Sequence, residues 1–327
     1  MTLFPDKVLI TGATGQDGRL AAEILISAGS HVIGIQCLGR SNPKPDHPIT
    51  EWYWWDFRDR KTLEDILDAT KPNAILHLAA NHHQSTHSSI DAIAEGAAMM
   101  DTNLGSVMTL VPAIMRVTPK AMLVAAGSSQ IFGKGTIEGS RVNETTPPNP
   151  HNSYALAKDL ARRFIAFHRR HDGFRGATAI LFNHESRYRS DLFVTRIISK
   201  HVASLVRDSA GPLQLKNIGA RADWCAAQDA VLAMLTMTSM KTPRDYIVSS
   251  GNDTALTELL EHAYGAVGLD WRNHVKGLSN KSTPYLVGDN NEITSDLGWR
   301  ATTSMRDVMR DMVQHDLALL EATGDPG

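Results

Sequence analysis

Residues 11–18 read Thr-Gly-Ala-Thr-Gly-Gln-Asp-Gly, a GxxGxxG spacing rather than the commoner GxGxxG. The apolar run Val8-Leu9-Ile10 precedes them, and Leu20-Ala21-Ala22-Glu23-Ile24-Leu25-Ile26 follows with the apolar spacing of a helix. A buried strand, a glycine turn and a helix in that order constrain the chain strongly. Glycines let the backbone turn tightly and approach a pyrophosphate, and a helix N-terminus offers N–H groups to that anion. Gly12, Thr14, Gly15, Gln16 and Asp17 are therefore candidate dinucleotide contacts. An ordinary turn is the alternative for a bare glycine trio, and the rest of the chain decides between them.

The pattern continues as alternating strands and helices. His31-Val32-Ile33-Gly34-Ile35 reads as the second strand. NAD-preferring folds carry an acid about 20 residues past the glycines, where it binds the ribose 2′-hydroxyl. Here the stretch is Gln36-Cys37-Leu38-Gly39-Arg40-Ser41, with no acid. Arg40 and Ser41 suit a 2′-phosphate, so NADP is the expected cofactor, with NAD as the alternative and a solvated loop charge as the bland reading of Arg40. The cluster Trp52-Tyr53-Trp54-Trp55 reads as core or interface packing. Asp56 and Phe57 at its end are candidates for the adenine side. The alternative for Asp56 is the cap of a helix over 60–70.

Pro72–Ala80 reads as another buried strand, whose end, Leu78-Ala79-Ala80, lets a cofactor lie against the backbone. The following Asn81-His82-His83, with His87, lacks a second cluster of zinc-ligand spacing. It reads as a loop at the cleft mouth with His82 near the reactants, and no metal is expected. A long helix is expected over 91–117. The strand Ala121–Ala126 then delivers Gly127-Ser128-Ser129-Gln130 to the carboxyl edge of the sheet, where open α/β folds bind ligands. A helix over 152–171 carries Tyr154 and Lys158 on one face, four residues apart. The strand Ala177–Phe182 ends at Asn183-His184-Glu185-Ser186. Beyond it, helices are expected at 193–208, 225–237, 256–266 and 304–321, with a strand near 246–248. The fold expected is α/β: a Rossmann-type doubly wound parallel sheet over 1–182, with a returning segment near 222–250. A smaller C-terminal α/β substrate domain is expected over 183–327.

The bulk composition removes several classes of function. With 42% hydrophobic and 21% charged residues, the chain has an ordinary globular composition. A formal charge of −2 gives no electrostatic reason to expect nucleic acid or an anionic membrane as partner. No apolar run approaches the ~20 residues of a membrane helix. The first residues lack the pattern of a signal peptide, so a cytoplasmic protein is expected. Only Cys37 and Cys225 occur, and they read as buried thiols.

Ser128, Tyr154 and Lys158 make a chemically coherent set. A tyrosine with an ordinary pKa of about 10 is a poor base at pH 7. A lysine ammonium and a positive nicotinamide ring favour its phenolate. The phenolate takes a proton from a substrate alcohol while the cofactor takes the hydride, and Ser128 holds the same oxygen. The glycine turn, Tyr154-Ala155-Leu156-Ala157-Lys158 and the serine-ended strand resemble the extended short-chain dehydrogenase/reductases that modify nucleotide sugars. Several stretches are similar to the GDP-mannose 4,6-dehydratase group. They are Thr11–Gly18, Ile180–Ser186, Phe193-Val194-Thr195-Arg196, Asp223-Trp224, Val287-Gly288-Asp289 and Leu297-Gly298-Trp299.

The resemblance implies a C-terminal part that holds a nucleotide sugar, with a GDP-linked one expected. His184 and Arg189 match cofactor-contacting positions, and Leu78 to His82 match the nicotinamide-side loop. Candidate substrate contacts are Ser128, Ser129, Asn183, Glu185, Ser186, Arg196, Lys216, Arg221 and Lys281. A homodimer packed through helices near 91–117 and 152–171 is implied, or a tetramer, although the tetramer-forming loop after the second strand is rewritten. Three further departures stand out. The family's paired arginines fall on Cys37 and Leu38, with Arg40-Ser41 shifted. Its arginine-rich segment is missing, leaving Lys281 as the nearest cation. Its catalytic Thr-x-Glu reads Ser128-Ser129-Gln130.

A carboxamide has no useful basicity, so Gln130 cannot remove the C5 proton that dehydration requires. Three readings follow. Another group such as His82, His83 or Glu185 is the base; dehydration is slow; or the enzyme reduces or epimerises a 4-ketosugar, for which Ser128, Tyr154 and Lys158 suffice. A non-catalytic dinucleotide sensor is a fourth reading, and retention of both Tyr154 and Lys158 argues against it.

Overall fold

The computed structural model describes residues 4–38, 47–81, 89–135, 137–208 and 210–323. Strand β1 (Lys7–Thr11) is buried on both faces. Val8 and Ile10 point to one side, where they meet Leu20, Leu25 and Met234. Leu9 points to the other, against Leu63, Leu67 and Leu110. This period-two division of an unbroken apolar run is what a strand covered by helices on both faces requires.

Around β1 lies a seven-stranded sheet. Its other members are β2 (His31–Cys37), β3 (Glu51–Trp55), β4 (Ala74–His77), β5 (Met122–Ala126), β6 (Gly176–Leu181) and β7 (Tyr246–Val248). All neighbours are parallel, in the order β7-β6-β5-β4-β1-β2-β3. The direction of winding reverses at β1 and β4, and the glycine turn leaves the carboxyl end of β1 there. Open α/β sheets bind ligands at this crevice. The expected parallel α/β sheet is therefore present.

The ten α-helices that the described residues contain are α1 (Gln16–Ser27), α2 (Arg60–Thr70), α3 (Ser89–Met100), α4 (Ser106–Val117), α5 (Ser153–His171), α6 (Val194–Asp208), α7 (Ala227–Met237), α8 (Leu256–Gly265), α9 (Asn291–Leu297) and α10 (Met305–Thr323). Helices α1 and α7 cover one face of the sheet, while α2, α4 and α5 cover the other. A further core joins α6, α8 and α10 through Ile198, Val202, Leu259, Leu260, Met309 and Met312. The C-terminal half is interleaved with the sheet: α7 and β7 return to it, and α9 packs on β7 through buried Ile293.

Several local details differ from the sequence reading. The helix expected over 91–117 is interrupted at Asp101–Gly105 by a π-type stretch. The Asn103 amide donates to the carbonyls of Met99 and Asn81, both at 3.0 Å, and the hydroxyls of Thr102, Ser106 and Thr109 each bond a carbonyl four residues back. Side chains that compete for main-chain carbonyls loosen the helical ladder. The cap of α2 is Asp59, whose carboxylate accepts from the Thr62 N–H at 3.1 Å, and not Asp56. Of the tryptophan cluster, Trp52 lies on Gly34 of β2, where a Cβ would come within 2.6 Å of its ring. Cys225 is buried as expected, but Cys37 is only half-buried. Among the described residues no helix is long and apolar enough to cross a membrane.

Candidate active site

A cavity of about 600 Å³ opens where β1 and β4 part. Its floor is the glycine turn. Gly12 has φ +71°, and a Cβ there would lie 2.6 Å from the Ala79 nitrogen. A Cβ on Gly18 would lie 2.5 Å from both Ala13 Cα and the Gly12 oxygen. The turn is thus pressed against both the end of β4 and its own helix. Gly15, by contrast, faces only the Gly12 oxygen at 3.3 Å. It is the N-cap of α1 and supplies no side-chain acceptor, so the first N–H groups of the helix are left for an anion at the cavity wall. These features fit the pyrophosphate of a dinucleotide.

Leu78, Ala79 and Ala80 line the opposite wall. Buried His77 holds them: Thr11 donates to its Nδ1 at 2.8 Å, its Nε2 donates to the Ser106 hydroxyl at 3.0 Å, and the Ala79 N–H reaches Thr11 Oγ1 at 3.4 Å. Because Ser106 gives its own proton to the Thr102 carbonyl, the ring carries its proton on Nε2. Burial, helped by the charge of Lys158, pulls the His77 pKa down to about 3, so the ring is neutral.

Ser128, Ser129, Gln130, Tyr154 and Lys158 converge on the same cavity. Ser128 follows the end of β5, and Tyr154 and Lys158 come from the first turns of α5. The Tyr154 hydroxyl is hydrogen-bonded to Ser128. Lys158 Nζ donates to the Ala126 carbonyl at 2.9 Å and lies 5.8 Å from the centre of the Tyr154 ring. Burial dominates both groups. It pushes Tyr154 up to about 12, against the Ser128 hydrogen bond and the Arg189 charge, and pulls Lys158 down to about 8. The expected depression of the tyrosine is therefore not a property of the protein's own charges. The phenol is held protonated at neutral pH.

Gln16 and Asp17 do more than edge the glycine turn. Gln16 Nε2 donates to the His184 carbonyl at 3.1 Å, and its Oε1 accepts from Ser186 at 2.9 Å. Asp17 pairs with His184 Nε2 at 3.0 Å. Burial opposes both charges, yet each partner favours the other: His184 is raised above its ordinary 6.5, and Asp17 is lowered below 3.8. Arg189 pairs with Glu185 at 3.1 Å and lies 3.4 Å over the Phe193 ring. Glu185 also accepts from Thr195, and burial raises its pKa against both partners. Asn183, His184 and Arg189 line the cavity, whereas Glu185 and Ser186 stand behind it.

Other candidates lie elsewhere. Phe57 lines the cavity, but Asp56 is exposed, outside the lining, and its carboxylate accepts from the Arg58 N–H. Arg196 is 6% exposed, and its guanidinium pairs with Asp316 of α10 at 2.8 Å, so it is a core ion pair and not a lining residue. Arg221 pairs with Asp253 at 2.6 Å. Lys216 and Lys281 are exposed on loops joined by the bond from Asn217 to the Lys281 carbonyl, at 2.9 Å. None of these three lines the cavity. Arg40, Ser41, His82, His83 and His87 lie outside the described residues. The sequence reading missed Thr102 of the π-type stretch and Ser106 at the start of α4, which line the cavity, and Gln36, whose amide oxygen accepts from Thr14 at 3.1 Å. The recurrence of Thr102, Asn103, Ser106 and Thr109 inside an apolar helix was the available signal. Among the described residues no group of three His, Cys, Asp or Glu side chains could hold a metal ion.

The sheet order, the glycine turn and the Tyr154–Lys158 pair on α5 are those of a dinucleotide-binding α/β enzyme of the short-chain dehydrogenase/reductase class. The GDP-mannose 4,6-dehydratase family model matches residues 9–312, and the chain belongs to that family. It is 31% identical to GDP-mannose 4,6 dehydratase 1 of Arabidopsis thaliana, over 96% of this chain and 91% of that protein. It is 28% identical to the GDP-mannose 4,6-dehydratase of Sinorhizobium fredii, over 96% and 97%. Among solved structures, the UDP-glucose 4-epimerase of Thermotoga maritima with UDP-glucose superposes with a TM-score of 0.81 at 19% identity, covering 96% of this chain and 99% of that one. RMD from Pseudomonas aeruginosa, complexed with NADPH, superposes with a TM-score of 0.77 at 19% identity, covering 95% and 99%. These two structures share the fold.

The Asp17–His184 pair makes stability depend on pH. The raised pKa of His184 adds stability that is full below its ordinary 6.5 and lost as pH rises through the folded value. The lowered pKa of Asp17 adds stability present above its ordinary 3.8 and lost as pH falls through the folded value. Asp17→Asn is expected to lose roughly 2 kcal/mol in urea unfolding between about pH 4 and 6.5, with a smaller difference from wild type at pH 9. A difference that does not vary with pH would show that the pair is not ionised in the folded protein.

Proposed function

We propose that this chain uses NADP(H) to reduce a GDP-linked 4-keto-6-deoxyhexose. One observation carries this reading: among the described residues the only carboxylate lining the cavity is Asp17, and it is tied to His184. Removal of a proton from carbon requires a free base beside the hexose, and Gln130 supplies none. Reduction of a carbonyl requires a proton donor instead, and Tyr154, pushed up to about 12, is held in its protonated form. A second reading, dehydration of GDP-mannose, is favoured by the 31% identity to a dehydratase. It would place the base on a group such as His82 or His83.

The residues expected to hold the cofactor are Gly12, Gly15 and the N-terminus of α1 at the pyrophosphate, with Leu78 to Ala80 and Lys158 at the nicotinamide end. The motive for NADP is the absence of an acid at Gln36 together with the nearby Arg40. When bound, the cofactor supplies or accepts the hydride at C4 of the hexose. Ser128 holds the C4 oxygen, and Tyr154 gives that oxygen its proton as the carbonyl becomes an alcohol. Lys158 stabilises the phenolate left behind, because the ammonium form is electrostatically matched to it. In the reverse direction Tyr154 takes the proton back.

The proposed assembly is a twofold homodimer. Leu104, Met108 and Met115 recur at helical spacing through α4 and the turn before it, and Leu156, Leu160, Phe164 and Phe167 recur likewise on α5. Met108, Leu156 and Phe167 are 49, 42 and 53% exposed. Two adjacent apolar helix faces suit pairing with a second copy of themselves.

Purified protein with NADPH and GDP-4-keto-6-deoxymannose is expected to consume NADPH, and Tyr154→Phe to lower kcat roughly 10²- to 10⁴-fold. GDP-mannose with NADP⁺ is expected to give little 4-keto-6-deoxy product by mass spectrometry, and Gln130→Glu more. Rapid dehydration by wild type, indifferent to residue 130, would favour the second reading and place the base elsewhere. Arg40→Ala should weaken NADPH far more than NADH in calorimetry, and equal losses would remove the NADP assignment. Light scattering at micromolar concentration should give a dimer that Met108→Lys with Phe167→Lys converts to monomer; a monomeric wild type would reject the interface.

A further inference from the structure

We propose that Asn152 orients the Gln130 carboxamide so that its Nε2 is a hydrogen-bond donor to an oxygen of the bound hexose, which makes Gln130 a specificity-determining residue. The proposal rests on the nucleotide-sugar reading of this cavity. Its geometry starts at a helix end. Asn152 is the N-cap of α5, and its Oδ1 accepts from the Ala155 N–H at 2.8 Å. That bond fixes which end of the Asn152 amide is oxygen. The opposite end is therefore Nδ2, which can only donate. It faces Gln130 Oε1 at 3.2 Å and His151 Nε2 at 3.3 Å. A donor NH₂ requires an acceptor opposite, so the Gln130 oxygen is committed to Asn152. Its nitrogen is left with two protons and no partner among the described residues.

The main chain of Gln130 is fixed independently. Its N–H donates to Ser128 Oγ at 3.3 Å, and its carbonyl accepts from the Gly133 N–H at 3.0 Å. Gln130, Ser128 and Tyr154 line one cavity. The wall beside the reacting oxygen thus presents an uncharged NH₂ group in addition to two hydroxyls. An NH₂ donor favours a hexose that offers an acceptor oxygen at this point, and it discriminates against an analogue in which that oxygen is replaced by hydrogen. Gln130 touches the substrate in this scheme, while Asn152 is a positioning residue that acts through it.

The arrangement provides its own switch. Asn152→Asp keeps the helix cap, since a carboxylate also accepts from the Ala155 N–H, but it turns the end that faces Gln130 from donor to acceptor. The Gln130 amide must then rotate, give its NH₂ to residue 152 and present Oε1 to the cavity. Gln130→Leu removes the donor outright. In calorimetry with GDP-4-keto-6-deoxymannose, both variants are expected to bind about threefold to tenfold more weakly than wild type. Affinity for GDP, which lacks the hexose, and the Tm of Asn152→Asp should remain at the wild-type values. Equal loss for GDP and for the ketosugar, or full affinity of both variants for the ketosugar, would overturn the proposal. A wild type that binds NADPH but no GDP-hexose would instead overturn the nucleotide-sugar reading. The orientation is still read in that case from side-chain ¹⁵N resonances. Gln130 Nε2 protons should exchange freely with solvent in wild type and be protected in Asn152→Asp, and protection in wild type would refute the assigned orientation.

Discussion

The contact between the glycine turn and the end of β4 is the constraint on which the rest of this structure depends. Gly12 stands so close to residues 78 and 79 that a single Cβ would enter the backbone. Only that proximity lets β1 end beside β4 while α1 starts in the same crevice. Thr11 completes the joint by holding the Leu78 N–H at its carbonyl and the His77 ring at its hydroxyl. The cavity, the anion-facing helix end and the neutral histidine under the 78–80 loop all follow from one strand pair that separates where the winding reverses.

A second consequence concerns charge. The cavity is built in a sheet that is buried on both faces, so ionisable groups in it and behind it are partly stripped of water. Burial is the leading influence on Tyr154, Lys158, His77, His184, Asp17 and Glu185 alike. What differs is the partner. Asp17 and His184 rescue each other, Glu185 is held by Arg189 and Thr195, and His77 has two hydroxyls that suit its neutral form. Tyr154 is favoured as a phenolate by the Ser128 hydrogen bond and the more weakly felt Arg189 charge, and Lys158 donates to a neutral carbonyl. They are therefore the pair whose protonation an incoming charged ligand can change most.

The sequence made the frame of this site legible and left its connections hidden, for a physical reason. Parallel strands covered on both faces are continuous apolar runs, so β1, β4, β5 and β6 stand out without knowledge of their neighbours. The glycine turn and the Tyr154–Lys158 pair are likewise fixed by spacing within one element. Residues whose roles depend on distant partners were read by association instead. Gln16 and Asp17 reach His184 and Ser186, some 170 positions away, and join α1 to the segment after β6. Arg196 has the look of an anion contact, yet Asp316 takes its charge within the helical core. The two- and three-residue strands of the C-terminal half, such as Leu213–Leu215 with Val275–Gly277, are too short to carry a periodic signal and exist only through long-range pairing.

The neutral side chain at position 130 also bears on the acidity of its neighbours. A carboxylate there would share a wall with Tyr154, and a nearby negative charge disfavours a phenolate. It would therefore hold Tyr154 protonated more strongly while adding a second proton acceptor beside the hexose. Dehydration needs both groups, because one proton leaves an oxygen and another leaves a carbon. With Gln130 in place, the described wall contains one proton couple that can serve a substrate oxygen, Tyr154 supported by Lys158. One such couple matches a reaction in which a hydride and a proton are added across a single carbonyl. In the proposed reading the uncharged side chain at 130 is what narrows the chemistry to reduction, while the glycine turn and the cap of α5 shape the walls around it.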